Sequence, residues 1–196
     1  MHFRHALSQT TGQLLNMQSL ASDVGVSDKT IKSWWSILET CYLIHYLRPH
    51  FSNFGKRLVK QPKLYMTDVG LAAALIGIQN ETQARTHPLR GALFETLVVN
   101  EFLKSRCTID LRGPLYFWRD NIGTEVGLIV ERGNEIAAIE VKSGPSVASD
   151  AFGSLRKWQK YAAERGSFSS VYPGLVYGGD AKFIREGVDV LPSSAL

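Results

Sequence analysis

Cysteine is scarce: only Cys41 and Cys107 occur in 196 residues, both inside apolar stretches and without metal-like spacing. That argues against a disulfide framework and a cysteine-held metal, and fits two reduced core residues of a cytoplasmic protein. Long apolar runs are missing too. None approaches the roughly 18 residues needed to span a bilayer, and the N-terminus lacks a basic-then-apolar signal pattern, so no membrane partner is expected. A nucleotide-binding phosphate loop is also absent. Gly55-Lys56 has neither the leading glycine nor the following hydroxyl residue of Gly-x-x-x-x-Gly-Lys-Ser/Thr, so no ATP site is assigned.

Net charge is small, +4, but its placement is uneven. Residues 1–78 hold eight basic residues (Arg4, Lys29, Lys32, Arg48, Lys56, Arg57, Lys60, Lys63) against four acids (Asp23, Asp28, Glu39, Asp68). The remainder is balanced, so the whole excess lies in the first two-fifths of the chain. An anionic partner for this part and a plain basic solvated surface both account for the asymmetry.

The same N-terminal part carries a helix-turn-helix pattern. Ser19 to Ser27 reads as a short helix ended by a turn at Gly25, and Ser27 fits the N-cap of a second helix from Asp28 to about Tyr42. Ile31, Trp35, Leu38 and Tyr42 recur at helical spacing and should face the core. Lys29, Thr30, Lys32 and Ser33 fall on the other side near the N-terminal end, where a recognition helix meets bases and phosphates. Leu43–Arg48 and Lys63–Met66 read as a two-stranded wing whose loop carries Lys56, Arg57 and Lys60 beside Phe54. A short helix, Val69–Ile76, completes a winged helix-turn-helix over residues 1–78. Such modules also serve as protein docking units, and the Trp34-Trp35 pair could turn one indole toward a partner.

Polar residues 79–90 read as a linker, and residues 91–196 as a second domain. Gly91–Arg106 is an apolar helix with Glu95 bordering its buried stripe, so Glu95 is at least partly covered. Strands follow over Leu115–Arg119, Glu125–Glu131 and Glu135–Lys142, then a helix from about Ser149 to Glu164 and strands Val171–Tyr177 and Val188–Leu191. Strict alternation puts Val126, Leu128 and Val130 on one face, with Glu125, Gly127 and Ile129 opposite. The overall expectation is an α+β fold in which an αβββαβ domain with a mixed sheet flanked by helices follows the winged helix. In the third strand of that domain Glu140 and Lys142 stand side by side, a costly pair to cover on an apolar strand unless chemistry needs it. Metal-assisted phosphodiester cleavage is such a chemistry: the acid holds the cation and the lysine orients the attacking water.

This order of elements, with an acid on the first helix and Ile139-Glu-Val-Lys142 ending the third strand, resembles the PD-(D/E)xK restriction-endonuclease-like superfamily. The chain is also similar to the C-terminal half of prokaryotic AAA-type ATP-binding proteins, where a winged helix and a nuclease-like domain of unknown function follow the ATPase module. Thr11-Gly-Gln-Leu-Leu-Asn16, Asn53-Phe-Gly-Lys-Arg57, Pro62-Lys-Leu-Tyr65, Asp68-Val-Gly-Leu71, Arg90-Gly-Ala-Leu-Phe-Glu95, Tyr116-Phe-Trp-Arg-Asp120 and Ile139-Glu-Val-Lys-Ser-Gly144 carry that resemblance. It implies a Mg²⁺ or Mn²⁺ ligand at Glu140, a catalytic lysine at Lys142 and a helix-borne assisting acid at Glu95. The aspartate central to the pattern falls at Gly127, which offers no ligand. Glu125, two residues earlier, would have to reach about 6–7 Å along the strand to replace it.

The expectation is therefore a DNA-binding accessory module with an inactive or nearly inactive nuclease-like domain. The alternatives are a Mg²⁺-dependent deoxyribonuclease using Glu95, Glu140, Lys142 and Glu125, and a docking platform for an ATPase module or another protein.

Overall fold

Residues 2–50, 59–108, 113–165 and 168–196 are described in a computed structural model of the chain. The fold is α+β, and the chain forms two compact units: Met1–Leu47 with Gln61–Leu97, and Arg48–Lys60 with Val98–Leu196. This division differs from one at residues 78 and 91, because single strands and helices supply residues to both units.

The N-terminal unit begins with helix α1 (His2–Gln9) and the two-residue strand β1 (Gln13–Leu14). Helix α2 (Met17–Val24) is capped by Asn16, whose side chain accepts from the Ser19 amide at 3.1 Å. Gly25 ends it at φ 77°, and the amides of Gly25 and Val26 both donate to Ala21. That is the left-handed closure glycine permits without a Cβ clash. Ser27 then caps α3 (Asp28–Thr40) by accepting from the Thr30 amide at 3.1 Å. Ile31 and Trp35 are fully buried on its inner face, together with Leu20, Ile44, Leu64 and Met66.

Tyr42 does not continue that face as its spacing suggests. The helix stops at Thr40, Tyr42 takes φ 56°, and its ring is 83% exposed. Neighbouring Cys41 is exposed rather than in the core, and the side chain of Cys107 lies outside the described residues.

Strand β2 (Ile44–Pro49) pairs through Ile44–Leu47 with β3 (Lys63–Met66), antiparallel, and β1 lies on the far side of β3. The tip between them, with Phe54, Lys56 and Arg57, lies outside the described residues. Helix α4 (Val69–Leu75) is capped by Asp68. The expected linker contains α5 (Glu81–Thr86), capped by Asn80, and then α6 (Arg90–Thr108) begins.

In the C-terminal unit, α6 leads to strands β4 (Leu115–Arg119), β5 (Glu125–Arg132) and β6 (Glu135–Lys142). A 3₁₀ turn (Ser149–Phe152) and α7 (Gly153–Arg165) follow. The chain closes with β7 (Ser170–Tyr177), β8 (Phe183–Arg185) and β9 (Val188–Pro192). The strand order is β4-β5-β6-β7-β9-β8, with β6, β7 and β9 parallel and the other neighbours antiparallel. At one end Arg48 and Pro49 of β2 run parallel beside Tyr116 and Phe117. Phe152, Leu155 and Trp158 are buried completely against Val126, Ile129, Ala138 and Leu175 on one sheet face. Each such side chain contributes roughly 1.5–3 kcal/mol, which fixes α7 on that face.

Alternation fails in β5. Tyr116 pairs with Ile129 and Trp118 with Val126, so two steps on β4 oppose three on β5. Gly127 and Leu128 thus form a β-bulge opposite Phe117, and Val126 and Ile129 share one core instead of facing opposite ways. Among the described residues no helix is long and apolar enough to cross a membrane.

Candidate functional site

Strand β6 alternates cleanly. Ile136 and Ala138 enter the core beneath α7, so Glu140 points to the same side and is only 7% exposed. Glu140 Oε1 accepts from Lys142 Nζ at 2.8 Å, and Oε2 accepts from the Ser154 hydroxyl at 2.7 Å. Ser154 sits in the first turn of α7, where the helix dipole also favours a carboxylate. The last registered β5–β6 pair is Leu128 with Ile139, so Glu140 lies one step farther, on the side of Gly127. Gly127 brings no side-chain ligand to it.

Lys142 is 46% exposed at the strand end. The loop beyond it is tied to the loop after β7, since the Gly178 amide donates to Lys142 O at 3.1 Å and to Gly144 O at 3.0 Å. A Cβ at Gly178 would come within 2.5 Å of Ser143 O, so this junction requires glycine.

The other two acids are engaged elsewhere. Glu125 accepts from Arg119 at 3.0 Å across the β4–β5 pair. Glu95 belongs to the N-terminal unit, where its Oε1 accepts from Lys63 Nζ at 2.7 Å and from the Tyr65 hydroxyl at 2.6 Å.

A divalent cation of the Mg²⁺ kind wants several oxygen ligands in near-octahedral array. Among the described residues no group of three His, Cys, Asp or Glu could hold a metal. One acid with a lysine and a serine on its oxygens does not fit such an ion.

Sequence reasoning missed two buried polar clusters. Asp120 accepts from the Ile122 and Thr124 amides at 3.0 and 2.8 Å, and from Lys157 of α7 at 2.6 Å. Burial alone would raise its carboxyl pKa, but these hydrogen bonds prevail and hold it below the usual carboxylate value. An aspartate followed by Asn-Ile-Gly is a turn-forming signal, but nothing local shows that Lys157 completes it. In the second cluster, buried His50 meets Glu131 at 2.5 Å among the rings of Tyr116, Trp158 and Phe168. The separation of 81 positions along the chain hides that pair from local reading.

On α3, Lys29, Lys32 and Ser33 are exposed, opposite buried Ile31 and Trp35. Thr30 is half-buried, and its hydroxyl lies 2.9 Å from Ser27 Oγ within the cap. Lys60 is exposed but belongs to the C-terminal unit.

Residues 90–196 match a family described only as a domain of unknown function, DUF4143. Residues 1–82 match a second domain of unknown function, DUF8612. Uncharacterized proteins of Mycobacterium bovis and Mycobacterium tuberculosis are each 29% identical to the chain over 170 residues. The match covers 86% of this chain and 36% of each relative, so the chain spans about a third of the length of the curated relatives it matches. No solved structure matches.

Proposed function

This chain belongs to the DUF4143 family, and we propose that it is a DNA-binding accessory module of an AAA-type ATPase family protein, with a nuclease-like domain that no longer cleaves. The observation that carries the binding reading is the outer face of α3. Lys29 and Lys32 stand exposed beside Ser33 in the first half of the helix, while Ile31 and Trp35 anchor the inner face. A basic helix N-terminal half suits phosphate contact, since charge and helix dipole act in the same sense. The loss of cleavage is supported by Glu140, whose two oxygens accept from Lys142 and Ser154 beside a strand with Gly127 where a second acid would stand. The ATPase association is supported by the sequence strings and by relatives more than twice as long.

Fluorescence anisotropy with a duplex oligonucleotide tests the binding reading. The protein binds at low salt, and the Lys29→Ala/Lys32→Ala double variant lowers the slope of log K against log salt by about 1.8, as loss of two phosphate contacts requires. No binding by the parent at low salt, or equal binding by the double variant, overturns it. Supercoiled plasmid should stay intact in Mg²⁺ and Mn²⁺; cleavage would instead establish the deoxyribonuclease alternative.

A docking role is favoured by exposed apolar residues in the N-terminal unit: Ile37, Tyr42, Leu43 and Leu71. It predicts a stable complex with an ATPase partner by size-exclusion chromatography, insensitive to added DNA.

A further inference from the structure

The sheet face turned away from α7 in the C-terminal unit is not fully covered. One row of aligned residues crosses four strands there: Leu115, Val130, Ala137 and Tyr172, each the registered partner of the next. Ala137 is the smallest of the four and makes a dip between Val130 and Tyr172. Along one side runs α6, with Phe102, Ser105 and Arg106 on one helical stripe. Together they enclose an open groove of about 190 Å³. For scale, an apolar cavity of about 150 Å³ accepts benzene, so the space suits one ring or a short alkyl chain.

The groove wall is almost wholly apolar, so charge belongs to its rim. Arg106 and Arg132 both line it, and among the described residues neither forms an ion pair. The Arg106 Nε is shut off from solvent with no hydrogen-bond acceptor. With Nε closed to solvent, only the terminal nitrogens of the Arg106 guanidinium can meet a ligand. The carboxylate of Glu135, registered opposite Arg132, accepts from the Tyr172 hydroxyl at 3.3 Å. Two arginines against one glutamate leave the mouth with an excess of one positive charge above an apolar floor.

We propose that this groove binds a small amphipathic carboxylate. Its ring or alkyl body covers Ala137 between Val130 and Tyr172, and its carboxylate is taken by the guanidinium groups of Arg106 and Arg132. Arginine suits that role because its planar fork meets a carboxylate with two parallel hydrogen bonds. The site is independent of the DNA-binding reading, which rests on the other unit.

The test uses octanoate as the probe, with 1-octanol and octylammonium as isosteric controls, followed by amide chemical shifts on the full chain. Octanoate should saturate, moving the amides of Phe102, Ala137 and Tyr172, and should bind at least about tenfold more tightly than octanol, as expected for a hydrogen-bonded charge. Arg106→Met should remove most of that tenfold preference, and Ala137→Leu should abolish binding of both probes by filling the dip. Should Ala137→Leu fail to fold, Arg132→Gln at an exposed position serves instead and weakens octanoate several-fold while leaving octanol unchanged. Equal affinity for octanoate and octanol, tighter octylammonium binding, unchanged octanoate binding by Arg106→Met, or shifts confined to the N-terminal unit would each overturn the assignment.

Discussion

Each unit holds one glutamate against a lysine, and the two pairs are built differently. In the N-terminal unit, Lys63 comes from β3 and Glu95 from α6, 32 residues apart, with the lysine side chain only 3% exposed and the glutamate 19%. Tyr65 donates to the same carboxylate oxygen. In the C-terminal unit, Glu140 and Lys142 are two residues apart on one strand, and the lysine is 46% exposed. Burial of the lysine separates the two cases. Lys63 cannot exchange its carboxylate for water, so Glu95 acts as its counter-ion and joins two elements. Lys142 keeps access to solvent at a strand end, which is what a group meant to meet a ligand requires. Glu95, the helix-borne assisting acid that the family resemblance implies, is therefore explained within its own unit as a structural clasp.

Breaking the clasp should have the largest effect. Lys63→Met leaves Glu95 partly buried without its counter-ion, and removing one partner of such a pair typically costs about 3–5 kcal/mol. Urea unfolding should show a loss near the lower figure, because Glu95 keeps the Tyr65 hydroxyl and some solvent. The double variant Lys63→Met/Glu95→Leu should regain most of it, since replacing both members with apolar groups is often neutral. A loss below about 1 kcal/mol in the single variant would show that Glu95 is loosely held and open to another role.

Acid should separate the units next. His45 stacks on Tyr65 at 5.5 Å between ring centres, and both its ring nitrogens are buried without hydrogen-bond partners. Burial lowers its pKa from 6.5 to about 4. Between these values the unfolded chain holds more protons than the folded one, so stability is complete above about pH 6.5 and falls as pH drops toward 4. The full loss is up to about 3 kcal/mol, at 1.36 kcal/mol per pKa step. His45→Phe should flatten this pH dependence. Asp120 in the C-terminal unit acts lower on the scale. Its depressed pKa contributes stability above pH 3.8 that is lost only as pH falls through the folded value. Amide protection factors, corrected for the intrinsic rate at each pH, should accordingly fall near β2 and β3 between pH 6.5 and 4 before they fall near the β4–β5 turn. An equal fall in both places, or an unchanged pH profile for His45→Phe, would remove the distinction.

Elements with clear punctuation were legible in the chain. Lys63–Met66, Leu115–Arg119 and Glu135–Lys142 have the bounds that alternation and turn residues indicate, and α3 starts where Ser27 and Asp28 place it. What local pattern could not show depended on partners. Strand β8 is three residues long and joins β9 through Glu186 and Gly187, both at positive φ, and glutamate is a poor signal for such a turn. The bulge at Gly127 escaped because alternation presumes an unbroken ladder. Tyr42 leaves the core because helical spacing does not hold past the helix end at Thr40. Within the candidate site, the contact between Glu140 and Lys142 follows from strand geometry alone. The Ser154 hydroxyl and the Lys63 and Tyr65 contacts of Glu95 arise only when distant elements pack.

The smallest effect is expected at Lys142. Its side chain is half in water, and Glu140 still accepts from Ser154 when the lysine is lost. An exposed pair of this kind contributes about 0–1 kcal/mol, so Lys142→Met should unfold within about 1 kcal/mol of the parent in urea. Set against Lys63→Met, the same substitution in the other unit, the comparison then spans several-fold in free energy. A loss as large as that of Lys63→Met would mean that Glu140 depends on its lysine as Glu95 does, making the strand-end pair a second clasp. A loss near zero removes stability as the reason for a lysine at this position. Lys142 would then differ from Lys63 as an exposed surface charge differs from a buried counter-ion.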